Sequence, residues 1–231
     1  MIVSGGLIAA LASSFPPLHT AGVENAIAFF KKESGSFALR ASELEKSIRA
    51  ISVSVEKEKN SKAGNAEDSM TIVQAKRALF RCRLQYKRIE FFLQYFFPGA
   101  TAVYNMPDRV EVEEPELEYT EPTGLQVIED LLFAQPVLSG KTGANQKQLL
   151  IQQASLISSS AGDLGSLLYK FKADDRQVLE SLRLELIRVM TLGITGFDTP
   201  LSKTGISESA AALRSMQEVL QPYLIQSPNG S

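Results

Sequence analysis

The chain has 231 residues, 44% of them hydrophobic and 22% charged, with a net charge of -2. That suffices to bury a core without metals or disulfides, in one large helical domain or two small ones, and the charge excludes a general nucleic-acid binder, which needs a basic surface to displace counterions. One cysteine, Cys82, and one histidine, His19, exclude an internal disulfide, a CxxCH haem-attachment motif and a Cys-rich zinc site, and argue against a multi-histidine metal centre or a Ser-His-Asp triad.

Residues 1–19 begin MIVSGGLIAALASSFPP, apolar and small, with no Lys or Arg before Lys31. This reads as a signal-like segment ending near Ala10, Leu11 and Ala12; the alternative is an N-terminal segment buried in or frayed from the body. It is too short for a membrane span. Val23, Ile27 and Phe30 start one amphipathic stretch, and Phe37, Leu44, Ile48, Ile51 and Val55 continue as another. Glu56 to Asp68 is polar, with a Gly-Asn pair, and reads as a loop. A long helix is expected from about Glu67 to Phe97, stopped by Pro98-Gly99.

Met106 to Pro122 holds three prolines and seven acidic residues and reads as an extended acidic connection. A helix follows with Thr123 as its N-cap and Val127, Ile128, Leu131 and Leu132 as its apolar face. After a loop from Pro136 to Gly143, a Gln-rich helix is expected from Ala144 to Phe171. Asp174 or Asp175 caps the next, which ends near Gly193. GFDTPLSKTGIS, from Gly196 to Ser207, reads as a linker. Ser207, Glu208 and Ala210 open the last helix, which stops near Pro222. No sheet is expected. The reading is an all-α bundle of about six helices over residues 20–225, followed by a polar tail at 226–231.

The long helix carries two polar stripes at one hundred degrees per residue. One holds Gln74, Arg77, Arg81, Gln85 and Arg88; the other holds Lys76, Arg83, Lys87, Glu90 and Gln94. Aromatic and aliphatic residues flank both, whereas an ordinary surface helix has a single solvated face. The second stripe contains the carboxylate Glu90, which can pair with Lys87 three residues away. The expectation is a buried charge network of Arg83, Lys87, Glu90 and, from another helix, Glu129; the alternative is that both stripes are solvated. Cys82 lies on the apolar side of this helix, where an inert buried thiol is the common outcome.

RLQYKRIEFFLQYFFP, then EPTGLQVIEDLLF, then GFDTPLSKTGISESAAALRSMQEVLQPY resemble the haem-free helical domain that precedes dihaem cytochrome c peroxidase domains in some bacteria. That domain is similar to the imelysin family, extracytoplasmic all-α proteins associated with iron uptake. The likeness spans about Ala38 to Tyr223 and implies an imelysin-like helical bundle outside the cytoplasm, in the periplasm. Imelysins carry a GxHxxE motif linked to metal binding. The matching positions here are Gly124, Gln126 and Glu129, so the motif is degenerate, and an amide is a poor ligand for transition metals.

Three functions follow for comparison. The first is a cofactor-free accessory or interaction domain working beside a dihaem peroxidase domain or another redox protein; any haem lies in that separate domain or partner. The second is an imelysin-like extracytoplasmic metal or iron-chelate binding protein, with Glu90 and Glu129 serving a hard cation against the opposition of basic neighbours. The third is an enzyme, for which no nucleophile with an activating base is legible. The acidic connection, with Glu111, Glu113, Glu114 and Glu116, either presents negative charge to a basic partner surface or is a solvated loop.

Overall fold

Thr20 opens the first helix: its backbone is extended and its hydroxyl accepts from the amide of Val23, satisfying one of the donors a helix start leaves free. The computed structural model describes residues 20–51, 62–107, 109–113, 116–133 and 143–225, and the helix begun at Thr20, α1, runs over Ala21–Arg49. The sequence divides it in two because Lys31 to Ser36 interrupts the apolar period. The helix nevertheless passes through, since the interrupting polar residues find partners. Ser34 donates to the carbonyl of Phe30, and Glu33 is buried against the second helix. The signal-like segment at 1–19 (His19 included), the loop at Pro136 and the tail at 226–231 lie outside the described residues.

Helix α2 spans Lys62–Phe96, so it begins inside the stretch read as a loop. It ends where Pro98 cannot continue the hydrogen-bond ladder, and that proline starts a single further turn, α3, Pro98–Thr101. Its apolar positions Ala75, Leu79, Cys82, Tyr86, Ile89, Phe92 and Leu93 are all buried. Phe92 stacks on Phe30 with ring centroids 4.3 Å apart, and Tyr86 and Tyr104 pack around Phe37. Each such ring buries a large apolar area, and together they join α1, α2 and the segment after α3.

The region after α3 corrects the expectation of no sheet. Strand β1, Asn105–Met106, pairs antiparallel with β4, Thr123–Gly124. Between them β2, Arg109–Glu113, pairs with β3, Glu116–Thr120. The register sets Val110 opposite Tyr119 and Val112 opposite Leu117, with Glu111 opposite Glu118 and Glu113 opposite Glu116. RVEVE and ELEYT alternate strictly, which is the period of a strand. Thr123 is not a helix cap: it belongs to β4, and its hydroxyl donates to the carbonyl of Ala102. Gly124 has φ of 68°, and a Cβ there would meet the carbonyl oxygen of Tyr104 at 2.3 Å. Only glycine both adopts that conformation and lets the two backbones approach so closely.

Helix α4, Leu125–Phe133, follows at once. Helix α5, Gly143–Gly162, stops short of the expected Phe171 and gives way to a 3₁₀ turn at Leu164–Leu168. This frees Phe171 to pack on Phe92, Phe96 and Phe97. Helix α6, Asp175–Arg188, opens with a capping box between Asp174 and Gln177 and runs into one π turn, Val189–Gly193. Helix α7, Gly205–Ile225, contains Pro222 instead of ending there. Proline deprives the carbonyl four residues earlier of its donor, and the side chain of Asn25 donates to that carbonyl, Glu218, at 3.3 Å.

Six of these seven helices reach nine residues or more, and they form a bundle with α2 packed against α1, α4, α6 and α7. Among the described residues, no helix is long and apolar enough to cross a membrane.

Candidate functional site: a buried charge network

The inward stripe of α2 meets side chains from four other parts of the chain. Arg83 is 1% exposed. Its Nε donates to Glu208 Oε1 at 2.8 Å and its Nη2 donates to the carbonyl oxygen of Asp198 at 2.6 Å. Its Nη1 lies 3.2 Å from Glu129 Oε2, an ion-pair contact off the hydrogen-bond direction. One turn on, Lys87 Nζ donates to Glu90 Oε2 at 2.6 Å and to Asp198 Oδ2 at 2.7 Å. The other oxygen of Glu90 accepts from Arg188 Nη2 at 3.1 Å. Glu185 completes the cluster 3.8 Å from Arg188 Nε.

The structure therefore brings Arg83, Lys87, Glu90 and Glu129 into one network. It adds Asp198, Glu208, Glu185 and Arg188, none of which the sequence reading places in the network. Gly196 to Ser207 is not a linker: Asp198 and Thr199 are buried, and the segment plugs the end of the bundle. Its backbone is part of the site. Glu129 Oε1 accepts from the amides of Leu201 and Ser202 at 3.1 and 2.8 Å, and Gln126 Nε2 donates to the carbonyl of Asp198 and to Asn105 Oδ1. At Gly205 a Cβ would meet the carbonyl oxygen of Gly193 at 2.3 Å, so this residue lets the π turn and the start of α7 touch.

Five carboxyl groups face three cations here. Desolvation works against the charge on Lys87, Arg83 and Arg188, but the surrounding carboxylates overcome it and hold all three above their ordinary values. Asp198 is penalised by burial too, yet Lys87 beside it brings its carboxyl below the usual range. Glu185 goes the other way. Burial and the repulsion of Glu90 push it up to about 8 against the weaker pull of Lys87 and Arg188. A cavity of about 10 Å³ lies between Glu185, Lys87, Arg188, Asp198 and Ser209, room for one water at most.

These contacts decide how the degenerate motif fits a metal. Gly124 serves the close backbone approach to Tyr104. Gln126 spends its amide nitrogen on Asn105 and Asp198. Glu129 is filled by two amides on one oxygen and faces a guanidinium on the other. A cation would have to displace Arg83, so these three residues do not fit a metal ion. Among the described residues, no group of three or more His, Cys, Asp or Glu side chains is placed to hold one.

Cys82 is buried and its thiol is pushed up to about 12, chiefly by desolvation; an unionised thiol is a poor nucleophile. Of the acidic candidates, Glu111 and Glu113 lie on β2 and Glu116 on β3, and Glu114 lies outside the described residues. The outward stripe of α2 has different partners. Arg88 Nε donates to Glu33 Oε2 at 2.7 Å and its Nη2 donates to Glu218 Oε1 at 2.8 Å, while Gln85 donates to Glu33 at 2.7 Å.

No family model matches the chain, and no curated protein or solved structure is detectably similar to it.

Proposed function

We propose that this chain is a cofactor-free helical accessory domain that docks a protein partner in an extracytoplasmic, cytochrome c peroxidase-type redox system, and is not itself an enzyme. The observation that carries the docking reading is the end of the bundle above the charge network. There Met190, Ile194, Phe197 and Ile206 are 52%, 56%, 64% and 67% exposed, and Ile194 and Ile206 line one cleft where the π turn meets the start of α7. Large apolar side chains gathered on one end are characteristic of an interaction surface.

The network gives this surface a fixed shape. Phe197 precedes Asp198, whose carbonyl and carboxylate are held by Arg83 and Lys87, and Leu201 is held through its own amide by Glu129. Buried charge is a costly way to stabilise a core and a better way to fix one loop conformation. A surface ordered before binding loses less entropy on association. The redox assignment and the periplasmic location rest on the resemblance in the sequence, with a dihaem peroxidase domain as the partner and the haem confined to that domain.

The test is sedimentation or calorimetry with a dihaem cytochrome c peroxidase domain. The expected result is a saturable complex that the Phe197→Asp, Ile206→Asp double variant weakens by about tenfold or more, the scale for truncating central apolar contacts. Equal affinity of the two proteins, or no complex at all, would overturn the reading.

A further inference from the structure

On the side of the bundle where α1, α2 and α7 meet, a cleft of about 270 Å³ is lined by Arg40, Arg81, Leu84, Gln85, Arg88, Ala211 and Arg214. Four guanidinium groups from three helices converge on it, and no carboxylate is among the lining residues. In a chain of net charge -2 such a gathering does not follow from composition, and like charges brought together cost free energy unless something opposite occupies the space between them.

The internal partners account for part of this charge. Arg88 is spent on Glu33 and Glu218. Arg40 is tied to Glu43 through Nη1 alone. Arg81 and Arg214 have no hydrogen bond or ion pair among the described residues, although Arg81 is near enough to Glu43 to help lower its carboxyl, after the larger effect of Arg40. Two full forks and most of a third therefore face the cleft unused. Arg81, Gln85 and Arg88 follow one another at spacings of four and three, so they share one face of α2 over about 10 Å. Leu84 and Ala211 give the cleft an apolar patch.

We propose that this cleft binds a small phosphate monoester. Arginine forks match the tetrahedral oxyanion bidentately, and two free guanidinium groups balance a dianion. The apolar patch takes the organic group that the phosphate carries. The cleft holds a small molecule and not a folded partner, and the inference is independent of the docking reading, which shares no residue with this cleft.

The experiment is calorimetric titration of the full chain at constant ionic strength with phenyl phosphate, inorganic phosphate, succinate and a hexaglutamate peptide. Phenyl phosphate is expected to bind saturably and more tightly than the other three. The Arg81→Gln, Arg214→Gln variant is expected to weaken it by about tenfold, the loss of one charge-assisted contact or more. Neither arginine is paired among the described residues, so the variant keeps its melting temperature, and Arg49→Gln, outside the cleft, leaves binding unchanged. Absence of saturable binding below ~10 mM, weaker than any value on the usual affinity scale, would overturn the proposal. So would equal binding by the double variant, or tighter binding of succinate or of the peptide.

Discussion

The two polar stripes of α2 use the same residue types and meet opposite ends. Arg83, Lys87 and Glu90 point into the bundle, 1%, 6% and 0% exposed, and every cation among them meets carboxylates from other elements. Arg81, Gln85 and Arg88 point toward the cleft with α1 and α7, where Arg88 has two ion-pair partners and Arg81 has none among the described residues. The same helix therefore carries one set of charges as internal struts and another as surface charge. The difference shows that amphipathic pattern identifies the stripes while partners decide which one is buried.

The largest effect is expected from removing the central strut. Arg83→Met leaves Glu208, Glu129 and the carbonyl of Asp198 without their cation and should cost about 4 kcal/mol, the scale for orphaning a buried charge. Chemical denaturation checks it, and a loss below about 1 kcal/mol, the surface value, would make the two stripes energetically alike. Glu129→Ala should cost about 3 kcal/mol, because it frees the amides of Leu201 and Ser202 as well as Arg83 Nη1. The pair Arg83→Met, Glu129→Leu should cost less than the sum of the single changes, since each leaves the other stranded.

A smaller effect separates the stripes by pH. Glu185 titrates near 8 in the folded chain and in the ordinary carboxylate range when unfolded. Between those values the folded state binds the extra proton, so this residue stabilises most at low pH and its contribution falls as pH rises through 8. Asp198, held below its ordinary value, has the opposite sign: its contribution is present above the unfolded value and is lost only as pH falls through the folded one. Glu185→Gln should therefore flatten the stability curve between pH 5 and 8, where the wild type changes by up to about 1.4 kcal/mol per pH unit. Parallel curves for the two proteins would mean that the proton resides elsewhere in the network.

The smallest effect belongs to the outward stripe. Arg88→Ala should cost about 1 kcal/mol, because Glu33 keeps Gln85 and Lys32 and the site is partly solvated. A loss equal to that of Arg83→Met would erase the contrast between the two faces.

By itself the sequence determines the helical bundle, the core faces, and the stripe on α2 that seeks acid. Hydrophobic period and capping chemistry are local, so Thr20, Asp174 and Pro98 can be read where they stand. The alternation of RVEVE and ELEYT is also legible as strands, but the acidic composition hides it from a reading that weighs charge above period. Beyond Glu90 and Glu129, the tertiary structure alone decided the partners. Arg83 and Glu208 are 125 positions apart, and Arg83 and Asp198 are 115 apart; nothing local marks Asp198, in a segment with the glycines and proline of a linker, as the acid on which Lys87 closes. Burying a charge is favourable only when an opposite charge arrives in the same place, and that depends on how the whole chain folds back upon α2.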